Sequence, residues 1–192
     1  MHARDRREEG VKGPDEAMRL LREAELLCPP EQVEREVERM AAEITRALGG
    51  DFPVVLSVMG GAAVFTGRLL PRLLFPLEFG AIEVTRYNND IQGREITWRL
   101  PPRDNVRGRT VLVLDDILDE GITLAAIRKR LLEMGAVKVY SAVFADKAIG
   151  RDKPVKADFV GVTVPNRYVF GFGMDAYGLW RNLPAIYALK DS

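Results

Sequence analysis

The stretch Val111–Thr123, reading VLVLDDILDEGIT, holds the densest chemistry in the sequence. A run of apolar residues leads into Asp115-Asp116, residues 117–123 form a short loop, and apolar positions return at helical spacing from Leu124. In an open α/β sheet, ligands bind beyond the carboxyl ends of the strands. A loop that opens a helix at such a place offers backbone N–H groups and the positive end of the helix dipole to an anion such as a phosphate. Gly121 lets the backbone come close to that anion, and Thr123 adds a hydroxyl at the helix start. Two adjacent carboxylates prefer other partners: they accept hydrogen bonds from sugar hydroxyls or hold a divalent cation. An acid pair beside an anion seat describes a sugar phosphate. The blander alternative is two solvated loop acids followed by a helix-capping threonine. The Gly-Lys-Ser/Thr element of a P-loop is not present.

The rest of the composition limits which groups can act. The chain has 192 residues, enough for one domain with a real core, and 28 basic residues balance 28 acidic ones. Zero net charge gives no bulk electrostatic reason for a nucleic-acid or anionic-membrane partner. The single histidine is His2, so acid–base work falls to carboxylates, lysine or tyrosine. The single cysteine, Cys28, excludes an internal disulfide. The N-terminus is charged with no apolar stretch behind it, which is unlike a secretory signal, and no apolar run has the length of a membrane span. A cytoplasmic protein is the expectation.

These residues need a frame. Residues 1–13 read as a charged lead-in. From Pro14, the spacing of Ala17, Leu20, Leu21, Ala24 and Leu27 predicts a helix that Cys28-Pro29-Pro30 stops. Val33, Val37, Met40, Ala41, Ile44 and Leu48 predict a second helix, closed by Gly49-Gly50. Strands are expected over 54–58, 79–85, 95–100, 110–114, 137–144 and 159–162, with a short one over 185–189, and helices over 62–73 and 124–134. Residues 86–95 read as a polar loop. The alternation predicts an α/β fold: a mostly parallel twisted sheet with flanking helices on both faces, preceded by an N-terminal helical extension over 1–50. The domain proper is expected over 51–192.

The stretch 111–123 resembles the phosphoribosyl-pyrophosphate motif of the type I phosphoribosyltransferases: four apolar residues, two acids, two apolar residues, then x-x-Gly-x-Thr. Asp119 stands at the loop position where the hypoxanthine-guanine branch carries aspartate. The resemblance implies that Asp119 handles the purine N7 proton, that Asp115 and Asp116 take the ribose hydroxyls, and that Glu120, Gly121, Ile122 and Thr123 seat the 5′-phosphate. Three further segments are similar. Met59-Gly60-Gly61 looks like the family's pyrophosphate loop, which often carries a non-proline cis peptide. Lys147 matches the lysine that contacts the purine 6-oxo group. Residues 145–192 resemble the family's C-terminal hood subdomain, in which Tyr168 would stack on the base, Val169 would meet it through its main chain, Asp175 would lie near a metal's water shell and Arg181 near the pyrophosphate.

Two positions depart from the pattern. Met59 stands where a lysine or arginine is common, and Arg86-Tyr87 stands for the Ser-Tyr pair of the catalytic loop, leaving Tyr87 as the catalytic tyrosine. The implied activity is purine salvage: transfer of a phosphoribosyl group to hypoxanthine, guanine or xanthine. Mg²⁺ would be the cofactor, with Asp115, Asp116 and Asp175 as its carboxylates, and the enzyme would be a homodimer or homotetramer. The reading from another class is a non-catalytic regulator that senses phosphoribosyl pyrophosphate.

Overall fold

In a computed structural model, residue 11, residues 13–86 and residues 96–190 are described. The lead-in, most of the 86–95 loop and Tyr87 lie outside them. A six-stranded sheet forms the centre, built from β2 (Val54–Met59), β3 (Glu78–Arg86), β4 (Ile96–Leu100), β5 (Thr110–Leu118), β6 (Lys138–Ala148) and β7 (Phe159–Pro165). The spatial order is β4-β3-β2-β5-β6-β7, and β4 is the antiparallel member. Helices α2 (Pro30–Leu48) and α3 (Ala63–Leu69) cover one face, and α4 (Ile122–Glu133) covers the other. The expected α/β sheet with helices on both faces is present.

Strand alternation explains the two-sided core. In β5, Leu112 and Leu114 face the α2/α3 layer while Val111 and Val113 face α4. A strand covered on both faces is apolar at successive positions, which is why the sequence shows a continuous run there. Helix α2 buries the apolar stripe expected of it, from Val33 to Leu48. Its core is the same one that holds Phe65 of α3 and Phe144 of β6, so residue 50 marks no break in packing.

The first helix is shorter than its spacing predicts. Helix α1 (Pro14–Glu23) stops early, and Glu25–Cys28 forms β1. This strand pairs antiparallel with β9 (Ile186–Ala188), which in turn pairs with β8 (Val169–Phe170). A strand partner some 160 residues away in sequence satisfies the backbone of 25–28, and local helical spacing cannot register such a partner. The N-terminal segment therefore supplies an edge strand of the hood sheet. Phe172 joins the hood to the main core, with its ring 4.4 Å from Phe144 and 6.4 Å from Phe65.

Two strands are longer than expected. Strand β5 does not stop at Leu114 but carries Asp115 and Asp116 within it, because β6 continues alongside and pairs Ile117 with Ala145 and Leu118 with Asp146. Strand β6 likewise runs past Phe144 through Lys147. Both extensions place polar residues in extended backbone at the carboxyl end of the sheet.

The Cys28 thiol is buried in β1, and that burial pushes its pKa to about 11. Only the thiolate reacts with disulfide reagents. Labelling of the native protein at pH 8 is expected to be at least about ten-fold slower than labelling in denaturant. Equal rates would mean that β1 does not hold its place on β9.

Candidate active site

The site lies where β2, β5 and β6 end and the hood begins. The peptide between Met59 and Gly60 is cis, as the resemblance implied for this loop. Gly61 then lies against the carboxyl end of β5. A Cβ at Gly61 would sit 2.0 Å from Asp116 Oδ2, and a Cβ at Gly173 would sit 2.0 Å from the Gly61 carbonyl oxygen. Gly173 has φ +103°, a conformation that favours glycine. These two glycines let the loop after β2, the acid of β5 and the hood come into direct contact.

Asp116 is buried, and desolvation raises its pKa above the ordinary aspartate range. The Asp115 side chain, the Ile117 N–H and the Arg181 charge oppose that rise. The Ile117 N–H donates to Asp116 Oδ1 at 2.8 Å, and the Asp116 N–H donates to Asp115 Oδ1 at 3.0 Å. Arg181 Nη1 lies 4.0 Å from Asp116 Oδ2 and donates to the Gly173 carbonyl at 2.6 Å. Its other terminal nitrogen pairs with Asp175 Oδ1 at 2.6 Å. Asp175 Oδ2 accepts the Gly178 N–H at 2.8 Å. Arg181 and Asp175 are thus fixed by each other and by the hood backbone.

Two adjoining cavities open over these groups. One, of about 550 Å³, is lined by Asp119 and Lys147 on one side and by Tyr168, Val169 and Met174 on the other. The second, of about 450 Å³, is lined by Met59, Gly60, Gly61, Asp115, Gly121, Thr123 and Arg181. Asp116, Asp119 and Asp175 border both. In the first, Lys147 Nζ donates to Asp119 Oδ2 at 3.0 Å, with the lysine side chain 13% exposed. Tyr168 is exposed, and its ring stacks on Tyr177 with centroids 5.9 Å apart.

The second cavity meets the start of α4. Gly121 is the N-cap, in the left-handed conformation, and no side chain caps the helix. Thr123 is therefore a first-turn residue and not the cap that a plain helix start would make it. The first-turn N–H groups lie at a helix end that favours negative charge.

Most of the residues expected at the site come together in these cavities. Glu120 and Ile122 line neither one: the Glu120 side chain turns to Arg151, 2.8 Å away. Among the described residues, no three carboxylate, cysteine or histidine groups cluster as a metal cage, so Asp115, Asp116 and Asp175 do not form one together. The sequence reasoning missed Tyr177 and Met174 as cavity walls. Tyr177 stands two residues after Asp175 in an aromatic-rich hood, and its left-handed φ of +55° is a feature no residue pattern announces.

A phosphoribosyl transferase domain model matches residues 29–177. The chain belongs to that family. Among curated relatives, the hypoxanthine-guanine phosphoribosyltransferase of Bacillus subtilis is 32% identical over 86% of this chain and 92% of its own length. The hypoxanthine-guanine-xanthine phosphoribosyltransferase of Tritrichomonas foetus is 33% identical over 87% of this chain and 92% of its own. A crystal structure of a hypoxanthine phosphoribosyltransferase from Staphylococcus aureus superposes with a TM-score of 0.79 at 27% identity, covering 86% of this chain and 91% of that one. Membership makes this chain a phosphoribosyltransferase.

In this phosphoribosyltransferase, Gly61 and Gly173 seal Asp116 from solvent by direct contact. Gly173→Ala must move backbone and adopt a strained φ, so a loss of about 1–3 kcal/mol is expected, read as a fall of about 2–4 °C in Tm per kcal/mol. An unchanged Tm would refute the close approach. The raised Asp116 carboxyl binds its proton more tightly folded than unfolded. Its contribution to stability is therefore greatest below the ordinary aspartate pKa and is lost as pH rises through the raised value. Asp116→Asn, which keeps an acceptor for the Ile117 N–H, should raise Tm at neutral pH, and the gain should shrink as the solution is acidified. A pH-independent difference would contradict this sign.

Proposed function

We propose that this phosphoribosyltransferase transfers the phosphoribosyl group of phosphoribosyl pyrophosphate to hypoxanthine or guanine, with xanthine as a further candidate, giving the nucleoside 5′-monophosphate and pyrophosphate. The observation that carries this is the Asp119–Lys147 pair, held at 3.0 Å in an aromatic-walled cavity that opens onto the acid pair and the α4 N-terminus. A carboxylate next to an ammonium matches the N7–H donor and 6-oxo acceptor of a 6-oxopurine. Adenine offers an amino donor at position 6, which a lysine ammonium cannot accept.

The reaction breaks the bond from the anomeric carbon to pyrophosphate and forms one to N9 of the base. Its transition state carries positive charge on the sugar and negative charge on the leaving group. Asp115 and Asp116 orient the ribose hydroxyls, while Gly121, Ile122 and Thr123 offer backbone and hydroxyl donors to the 5′-phosphate. Ile122 contributes only through its main chain, and the Glu120 side chain turns away from the cavities to Arg151. Asp119 accepts the N7 proton, Lys147 donates to the 6-oxo oxygen, and Tyr168 stacks on the ring with Val169 beside it. Arg181 and the Met59-Gly60-Gly61 backbone receive the pyrophosphate. With Met59 in place of a cation, Arg181 is the cation that the described lining of this cavity offers to that charge. Tyr87 is proposed as the loop tyrosine that shields the reaction from water.

The donor set fits magnesium better than a metal that needs an all-protein cage. Mg²⁺ takes one or two carboxylates and completes its shell with water and substrate oxygens. Asp115, Asp116 and Asp175 would hold it through such a shared shell. When bound, it neutralises charge on the leaving pyrophosphate. No described helix is long and apolar enough to cross a membrane. We extend the proposal to a cytoplasmic homodimer or homotetramer, as the family resemblance implies; Leu74 and Phe79 are exposed apolar side chains that a contact between copies would cover.

A spectrophotometric panel of hypoxanthine, guanine, xanthine and adenine with Mg²⁺ tests the reading, and consumption of adenine alone would reject it. Asp119→Asn should lower kcat by about 10²–10⁴-fold and leave phosphoribosyl-pyrophosphate binding nearly intact. Unchanged turnover would remove Asp119 from acid–base work.

A further inference from the structure

Behind the base cavity, on the other side of the β5–β6 pair, lies a cavity of about 700 Å³ whose wall includes Leu118, Asp146 and Lys153. Lys153 is a lysine taken out of solvent, with 10% of its side chain exposed. Its Nζ donates to the Leu118 carbonyl at 2.7 Å and also to Asp146 Oδ1. These two partners stand opposite each other in the β5–β6 register. The next residue along each chain segment is Asp119, just past the end of β5, and Lys147, still on β6, and those two bond to each other on the cavity side. One ammonium therefore ties the two strands together one residue before each delivers its base-reading side chain.

The stem of Lys153 makes a second contact with the same loop. A Cβ at Gly121 would lie 3.3 Å from Lys153 Cβ and 3.3 Å from Pro154 Cδ. The 118–121 loop is thus held at its start by the ammonium and at its end by the packed stem and Pro154. The Arg151–Glu120 pair between them is 65% exposed on the arginine side and adds little. Burying an ammonium with a carboxylate is weak support for overall stability, so fixing geometry is the better account of its presence.

We propose that Lys153 is a positioning residue of the base pocket. It acts from behind the sheet, setting the spacing of Asp119 and Lys147 without touching substrate. The inference rests on the assignment of Asp119 and Lys147 to the base. A misplacement on the ångström scale costs up to about a hundred-fold in rate, and here one of two tethers on a strand end is lost.

Lys153→Met keeps the stem against Gly121 and removes the ammonium. Steady-state kinetics with base and phosphoribosyl pyrophosphate varied separately, alongside the wild type, give the readout. The expected result is a roughly ten-fold lower kcat/KM for the base, with KM for phosphoribosyl pyrophosphate within about two-fold of wild type. The single change leaves Asp146 uncompensated and lowers Tm. Asp146→Asn/Lys153→Met removes that charge, so Tm should recover while the base defect stays. The double variant also decides the matter if the single one does not fold. Base kinetics that recover along with Tm, equal losses for both substrates, or wild-type kcat/KM for the base would overturn the proposal. A wild type that consumes no 6-oxopurine would instead bring down the base-pocket assignment, and this inference with it.

Discussion

The arrangement depends on one carboxylate held out of water where three segments meet. Asp116 lies near the end of the central strand β5 with Gly61 against one of its oxygens, and Gly173 of the hood closes over Gly61. A side chain at either glycine would occupy space already taken, so only glycine fits at each position. Burying an acid is unfavourable by itself, and the raised pKa expresses that cost. The offset comes from the Asp115 side chain, the Ile117 N–H and the Arg181 charge, the last of which the hood supplies. The hood therefore both walls the cavity that holds Asp119 and Lys147 and supplies a counter-charge for the sheet. Its attachment through Phe172, packed between Phe144 and Phe65, keeps that charge in place.

A second constraint shapes the same edge. Parallel strands β5 and β6 continue together beyond the apolar run to the Leu118–Asp146 pair, and β6 goes on beside β7 to Ala148. Paired extended backbone is stiffer than a free loop, so Asp115, Asp116 and Lys147 are presented by ladder geometry. The proposed transfer needs groups fixed before the reaction begins, because orientation set in advance is a large part of the available rate gain. Only after Leu118 does the chain turn, through Gly121, into the first turn of α4. The site thus has a paired half that carries Asp115, Asp116 and Lys147 and a turn that leads its N–H groups into the start of α4.

Much of this was legible in the sequence because its determinants are local. The apolar runs of β2 and β5, the stripe of α2 and the spacing from Asp115 to Thr123 each express one element's own geometry. What was not legible depends on distant partners. The end of β5 is set by β6, and Leu26 and Cys28 belong to a strand because Tyr187 and Ile186 lie beside them. Thr123 stands where a capping residue is expected, yet Gly121 takes that position through a left-handed turn packed on Lys153 and Pro154. Glu120 sits inside the motif but answers to Arg151. Tyr177 enters the base cavity through a backbone angle that residue type does not encode.

The N-terminal segment follows from the same need for a fixed edge. Strand β7 ends the main sheet and leads directly into the hood, and an unpaired edge would leave its carbonyls open to other chains. Arg39 of α2 donates to the Val160 and Gly161 carbonyls at 2.7 and 3.0 Å, covering part of that edge. Glu34, also on α2, accepts from Arg72 at 2.8 Å and pairs with Arg68, binding α2 to the α3 side of the core. Strand β1 completes the hood sheet on its far side. Residues 14–48 thus brace both the strand that enters the hood and the strand that leaves it. The hood position that Gly173 needs over Gly61, and with it the counter-charge on Asp116, is set partly from the opposite end of the chain.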